Sequence, residues 1–93
     1  MSVTVRIPTP LRKLTNDLDI VSADGGTLVA CIDGLDNQYP GLKDRILDET
    51  GQLRRFVNVY INGEDVRFQQ GVETALNAGD EVSIVPAVAG GGV

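Results

Sequence analysis

The chain has 93 residues, which is enough for one small domain with a single core. Its net charge of −5 argues against nucleic-acid binding and against adsorption to an anionic membrane. It has no histidine and one cysteine, which excludes histidine-based metal sites, Ser-His or Cys-His catalytic pairs and intramolecular disulfides. No signal sequence or membrane span is visible, so we expect a cytoplasmic protein.

The first half of the chain predicts two strands and a helix. Residues 2–7 alternate apolar and polar side chains with a period of two. Residues 17–22 repeat this pattern more weakly with Leu18 and Ile20 as the apolar positions, after a loose hairpin connection. Thr27 is a candidate N-cap for a helix that ends at residues 39–41, Tyr-Pro-Gly. The apolar residues at helical spacing are Leu28, Ile32, Leu35 and Tyr39.

The second half predicts a short helical turn and three further strands. Residues 42–49 contain the short turn, and residues 56–68 form a hairpin whose Asn62-Gly63 dipeptide suits a type I′ turn. The returning strand covers residues 64–67, and the last strand presents Val82 and Ile84 to one side.

The order of these elements predicts an α+β roll. A mixed sheet of about five strands would carry one main helix packed on one face. The last strand is expected to end near Pro86. This divides the chain into a domain of residues 1–86 and a flexible glycine-rich C-terminal tail of residues 87–93, which can extend roughly 23 Å.

The reactive side chains are best explained by structural roles. Cys31 lies in the middle of the helix among apolar residues, so we expect it to pack in the core. Neighbouring carboxylates such as Asp80 and Glu81 lack the enclosed cleft that an acid–base pair needs, and no spacing matches a calcium loop. No catalytic residue and no metal ligand are predicted.

One cluster of positive charge stands out in the acidic chain, at Lys43, Arg45, Arg54 and Arg55. Local pairing is the favoured interpretation, because carboxylates are close in sequence at Asp44, Asp48 and Glu49. Docking of an acidic patch on a partner is the alternative.

The outer face of the sheet is a candidate docking surface. Strand alternation turns Phe56, Tyr60 and Val85 away from the helix. Apolar groups on an otherwise solvated face suggest contact with a partner. The candidate partner-binding residues are Phe56, Tyr60, Val85, Pro86 and Val88.

The chain closes with Pro-Ala-Val-Ala-Gly-Gly-Gly-Val. A frayed terminus is one interpretation of such an end. In the other, a glycine terminus threads a narrow tunnel, and its carboxylate is activated as an acyl-adenylate with no side chain in the way. Composition alone leaves both interpretations open.

Two stretches resemble the ThiS/MoaD family of ubiquitin-like sulfur-carrier proteins, and in particular its CysO/MoaD-like subgroup. They are FVNVYINGEDVRF at residues 56–68 and GVETALNAGDEVSIVPAVAGG at residues 71–91, and the likeness begins at VTVRIPTPL, residues 3–11. The resemblance implies a β-grasp (ubiquitin-like) fold, which agrees with the predicted order of elements.

The resemblance implies a carrier rather than an enzyme. In that family an E1-like enzyme adenylates the C-terminal glycine with ATP and magnesium, and a sulfur donor converts it to a thiocarboxylate. The chain itself would bind no cofactor. The acceptor would be a PLP-dependent cysteine synthase, which is favoured, the large subunit of molybdopterin synthase or a forming thiazole. A ubiquitin-like modifier joined to lysines and a non-covalent interaction domain are the alternatives.

The last residues depart from the family pattern, which ends in Gly-Gly. Matching PAVAGG places the diglycine at Gly90-Gly91 and makes Gly91 the adenylated and thiocarboxylated residue. Counting back from Val93 makes it Gly92 instead. We expect Val93 to block activation until it is removed, because its side chain is β-branched. Some relatives are processed by a JAMM-type zinc peptidase, and an expression remnant is the other explanation.

Overall fold

The computed structural model describes residues 2–86; the predicted tail, residues 87–93, lies outside the described residues. Five strands form one sheet in the order β2-β1-β5-β3-β4, with β1 and β5 parallel and the other neighbours antiparallel. The strands are β1 Val3–Arg6, β2 Ile20–Ala23, β3 Val57–Ile61, β4 Glu64–Asp65 and β5 Glu81–Pro86. The helices are α1 Leu28–Gln38 and α2 Leu42–Ile46. The predicted α+β roll and its order of elements are confirmed.

The core lies between the inner face of the sheet and the two helices. Thr27 caps α1 as predicted, because its Oγ1 accepts a hydrogen bond from the backbone N–H of Ala30 at 3.3 Å. The predicted short turn is α2, which begins after Gly41 in a left-handed conformation (φ 97°). The strands contribute Val5, Val59, Val82 and Ile84 to the core, and α1 contributes Leu28, Cys31, Ile32 and Leu35.

The prediction that Leu18 and Ile20 form the buried face of β2 is wrong. Leu18 lies before the strand and is 45% exposed, and Ile20 stands opposite Arg6 and is 44% exposed. The buried residues are Val21 and Ala23, which pair with two buried residues of β1. The Ile20-Val21 dipeptide offers an apolar side chain to either face, so the pairing with β1 decides which one is buried.

The hairpin at Asn62-Gly63 is confirmed, and its second strand is shorter than predicted. Asn62 and Gly63 both adopt left-handed backbone conformations (φ 52° and 89°), as a type I′ turn requires. After two residues of β4, Asp65 caps a 3-10 helix at Val66–Phe68 by accepting a hydrogen bond from the backbone N–H of Arg67 at 2.9 Å. This cap turns the chain away from the sheet.

Asp80 joins this hairpin turn to the start of β5. Its carboxylate accepts hydrogen bonds from the backbone N–H of Asn77 at 2.8 Å and from the side-chain amide of Asn62 at 3.0 Å. The side-chain oxygen of Asn62 in turn accepts from the backbone N–H of Glu81 at 3.0 Å. These two donors, the Asn77 N–H first, hold the pKa of Asp80 below its usual range.

We predict that acid destabilises the fold partly through Asp80. A carboxyl whose pKa is lowered on folding contributes stability above its unfolded pKa, and this stability is lost as the pH falls through the folded pKa. Urea unfolding of the wild type between about pH 5 and pH 2 should therefore show a steeper loss of stability than Asp80→Asn, which cannot titrate. If the free energy of unfolding falls with pH equally steeply in the two proteins, Asp80 does not contribute to the acid destabilisation.

We predict that Gly25→Ala destabilises the protein by about 1–3 kcal/mol, as steric overpacking does. A Cβ at Gly25 would lie 2.6 Å from the backbone nitrogen of Cys31 in the first turns of α1. Gly26→Ala is the matched control, because nothing lies within 4 Å of a Cβ there. Urea unfolding should separate the two variants, and equal stabilities would refute the steric explanation.

Candidate functional site

The chain leaves the described fold from the central strand of the sheet. β5 lies between β1 and β3, and its last residue, Pro86, pairs with Val57. Val82 and Ile84, on the inner side of β5, are almost fully buried. The tail is therefore attached to a central strand of the sheet, and we call its attachment point at Pro86 the tail root.

The structure brings only some of the predicted partner-binding residues onto one face. Tyr60 stands opposite Ser83 and Val85 opposite Asn58, so both lie on the outer face of the sheet. Val85 is 43% exposed and Tyr60 is half-buried. Phe56 precedes β3 in a turn rather than lying on a strand, and it is 49% exposed.

The remaining predicted site residues lie at the tail root or outside the described residues. Pro86 is half-buried at the tail root. Val88 and the glycines Gly90, Gly91 and Gly92 lie outside the described residues. Their assignment as docking and activation residues stays a prediction.

Sequence reasoning missed a groove of about 430 Å³ on the other side of the tail root. It lies between the ends of β1 and β5 and includes Pro8, Arg12, Val85 and Pro86 in its lining. A 3-10 helix at Thr9–Leu14 forms part of this wall, and the Nε of Arg12 donates to the carbonyl of Ile7 at 3.0 Å. The two prolines at residues 8 and 10 were the available signal, but they indicated only the end of a strand.

The favoured interpretation of the basic cluster, local pairing with carboxylates, holds only in part. Lys43 pairs with Asp33 of α1, with 2.6 Å between Nζ and Oδ1, and this hydrogen bond raises the pKa of the Lys43 ammonium. Arg54 donates from Nε to the backbone carbonyl of Asp44 at 2.7 Å. Within residues 2–86 the only other ion pair at 4.0 Å or less joins Arg6 to Glu81. Among the described residues no predicted local pair comes within 4.0 Å, although the charge of Arg54 contributes, after the hydrogen bonds from Thr50 and Gln52, to lowering the pKa of Asp48.

Cys31 packs in the core, as predicted. Its side chain is fully buried, and burial, followed by the nearby charge of Asp24, raises the pKa of the thiol to about 11. Within residues 2–86 no group of three or more Cys, Asp or Glu side chains could hold a metal ion. No helix in that part of the chain is long and apolar enough to cross a membrane.

The fold and the tail root define a β-grasp domain that presents its C-terminal segment from a central strand. The ThiS family model matches residues 5–91, and the chain belongs to the ThiS family. The predicted family and the predicted fold are both confirmed.

Three relatives illustrate the similarity. The chain is 53% identical over 93 residues to the sulfur carrier protein CysO of Mycobacterium tuberculosis, covering 98% of this chain and all of that protein. It is 40% identical over 68 residues to small archaeal modifier protein 3 of Haloferax volcanii, covering 73% of each. One chain in the crystal structure of the Amycolatopsis orientalis BexX/CysO complex superposes with a TM-score of 0.91 at 47% identity, covering 96% of this chain and 99% of that one.

We predict that Cys31 does not react with thiol reagents in the native protein. A neutral, fully buried thiol offers neither the thiolate nor the access that the reaction requires. Treatment with a chromogenic disulfide reagent near pH 8 should release colour only after denaturant is added. Rapid release from the folded protein would contradict the core assignment.

Proposed function

We propose that this chain is a sulfur carrier whose C-terminal glycine is converted to a thiocarboxylate that donates sulfur in biosynthesis. One observation carries the proposal, namely 53% identity to a sulfur carrier protein along almost the whole chain. The attachment of a glycine-rich segment to the central strand supports it, since that strand gives the reactive end a rigid base.

The chemistry requires a carboxylate without a neighbouring side chain. An E1-like enzyme joins the glycine carboxylate to the AMP portion of ATP, with magnesium on the phosphates, and pyrophosphate leaves. A sulfur donor then displaces AMP and leaves a thiocarboxylate. Glycine suits this role because it lacks a Cβ and fits a narrow tunnel. We propose Gly91 as the activated residue, and the match to the family model, which ends at residue 91, supports this choice.

The domain itself would serve as a protein co-substrate that docks and binds no cofactor. Phe56, Tyr60, Val85, Pro86 and Val88 are the proposed contacts for partners. Those partners are the adenylating enzyme and a synthase that accepts the sulfur. We favour a PLP-dependent cysteine synthase because the full-length relative is a CysO protein, and we place the large subunit of molybdopterin synthase second. Because the proposed activation uses ATP, we place the reaction in the cytoplasm.

A ubiquitin-like protein modifier is the second candidate. The similarity to an archaeal modifier protein over 73% of the chain supports it. Both functions use the same activated glycine, so the acceptor distinguishes them. A modifier leaves a tail-derived peptide on lysines in a tryptic digest, whereas a carrier transfers sulfur and returns to its free carboxylate. A non-covalent interaction domain, the third candidate, would work without any residue beyond Val88.

The test compares chains that end at Gly91, Gly92 and Val93. Each is incubated with the adenylating enzyme from the same cells, ATP, magnesium and sulfide, and its intact mass is measured. We expect the Gly91 form to gain the mass difference between sulfur and oxygen. The Val93 form should remain unchanged until a zinc peptidase of the JAMM class or another protease has trimmed it.

The controls identify which part of the proposal fails. Omitting ATP should abolish the mass gain in every form. Conversion of the Gly92 form alone would move the site to Gly92. The sulfur-carrier proposal is wrong if an enzyme that converts its own known carrier leaves all three forms unchanged.

A further inference from the structure

The two ends of β5 differ in charge. Several carboxylates lie where β5 begins: Asp80 precedes the strand, Glu81 is its first residue and pairs with Arg6, and Asp24 follows the residue of β2 that pairs with Val3. Where β5 ends, its last residue pairs with Val57, which directly follows Arg54-Arg55-Phe56. The tail therefore leaves an acidic molecule beside two adjacent arginines.

The backbone of Arg54 is held in place from three directions. Its N–H donates to the carbonyl of Ile46 at 3.0 Å, and its own carbonyl accepts from the Arg67 guanidinium at 2.8 Å and from the backbone N–H of Val57 at 3.0 Å. Its Nε is bound to a carbonyl oxygen of Asp44 rather than to a carboxylate. This bond orients the guanidinium, whose charge also contributes, after the hydrogen bonds from Thr50 and Gln52, to the lowered pKa of Asp48.

The neighbouring carboxylate of Asp48 is hydrogen-bonded within its own loop. Asp48 accepts hydrogen bonds from the backbone N–H groups of Thr50 and Gln52 at 2.8 and 3.2 Å and from the Thr50 hydroxyl at 2.5 Å. Arg55 is exposed, and its side chain makes no hydrogen bond or ion pair within residues 2–86. Two guanidinium groups are therefore available for a carboxylate from another molecule.

An aromatic ring accompanies these charges. Arg54, Arg55 and Phe56 line a groove of about 330 Å³ together with Asp48 and Val57. Phe56 is 49% exposed. Arginine and aromatic side chains are the residue types that contribute most at protein interfaces, and here they are adjacent on an ordered segment.

We propose that Arg54, Arg55 and Phe56 form a docking surface for an acidic segment that also carries an apolar side chain, on the enzyme that activates the tail. The proposal rests on the proposed function, since it identifies the partner through that function. Complementary charge is the basis for the choice: the chain carries a net charge of −5, and Arg54 and Arg55 place two adjacent positive charges beside the tail root, so the contact would align the tail with the active site.

The test measures the activation reaction with the chain that ends at Gly91. Arg55→Glu is the main variant because its side chain has no structural partner within residues 2–86. Lys13→Glu is the matched control: it makes the same change of charge at an exposed residue, in the 3-10 helix on the β1 side of β5. At saturating ATP we expect Arg55→Glu to raise the KM for the carrier about tenfold with kcat unchanged, and Lys13→Glu to leave both unchanged.

Salt provides a second measurement. The KM of the wild type should rise with ionic strength, and that of Arg55→Glu should rise less, because its attractive charge is gone. Phe56→Ala should raise the KM without altering the salt dependence. Equal KM values for the two charge reversals would overturn the proposal. So would a rise in the KM for ATP alone, which would indicate a contact with the phosphates instead.

Binding without ATP separates this proposal from the proposed function. Calorimetric titration of the enzyme should show weaker binding of Arg55→Glu than of Lys13→Glu, with both variants unfolding at the same urea concentration as the wild type. The wild type could bind the enzyme but gain no sulfur, while Arg55→Glu still binds more weakly than Lys13→Glu. In that case the docking surface stands and the sulfur-carrier function fails. Equal affinities overturn the docking surface, and absence of both binding and conversion overturns the two together.

Discussion

The double pairing of β5 determines how this domain presents its tail. β5 runs parallel to β1 and antiparallel to β3: β1 pairs with Glu81–Ser83, and β3 pairs with Val82–Pro86, so the end of the strand is held by β3. Val5 and Val82 face each other across the parallel pair in the centre of the core. A parallel pair cannot be closed by a tight turn, and here all the other elements of the domain lie between its two strands in sequence. The last described residues are thus held by contacts made throughout the chain.

This arrangement has an energetic consequence for a reactive tail. Under the proposed function, ordering each tail residue in the active site of a partner costs about 1–2 kcal/mol of backbone entropy, and glycine loses the most. The tail offers few side chains to offset this cost, so contacts of the domain have to supply the difference. The exposed residues beside the tail root, such as Val85 and Phe56, are placed to do so. A modest net affinity suits a carrier that must leave one enzyme and reach another.

Local signals predicted most of the fold because local interactions decide those elements. Thr27 begins α1 through a hydrogen bond three residues along the chain, and Asn62-Gly63 turns the hairpin through its own backbone conformations. The prediction of which face of β2 is buried failed, because burial there depends on pairing with β1. The sequence of residues 17–22 alone carries no information about that pairing. The 3-10 helix Thr9–Leu14 was missed because two prolines and a period of three carry no helical pattern.

The candidate site was predictable only in part, for a related reason. Strand alternation correctly turned Tyr60 and Val85 outward, since the hairpin carries a regular period of two. Alternation did not extend to Phe56, which belongs to a turn whose shape depends on Arg67 and Ile46. The pairing of charges was not predictable from proximity in sequence, because Lys43 selects a carboxylate on α1 while Asp48 turns inward to its own loop.

The distribution of charge joins these observations. At the start of β5, Asp80 is bound by donors of the hairpin turn and of residue 77, so that carboxylate serves the fold. Near the end of β5, the guanidinium of Arg54 is oriented by the backbone carbonyl of Asp44 and forms no ion pair of 4.0 Å or less within residues 2–86. In the proposed docking, an acidic segment of the partner is attracted to the two arginines beside the tail root. The tail is attached at this same end of the domain. A partner that docks on the arginines would therefore also be close to the terminal glycine.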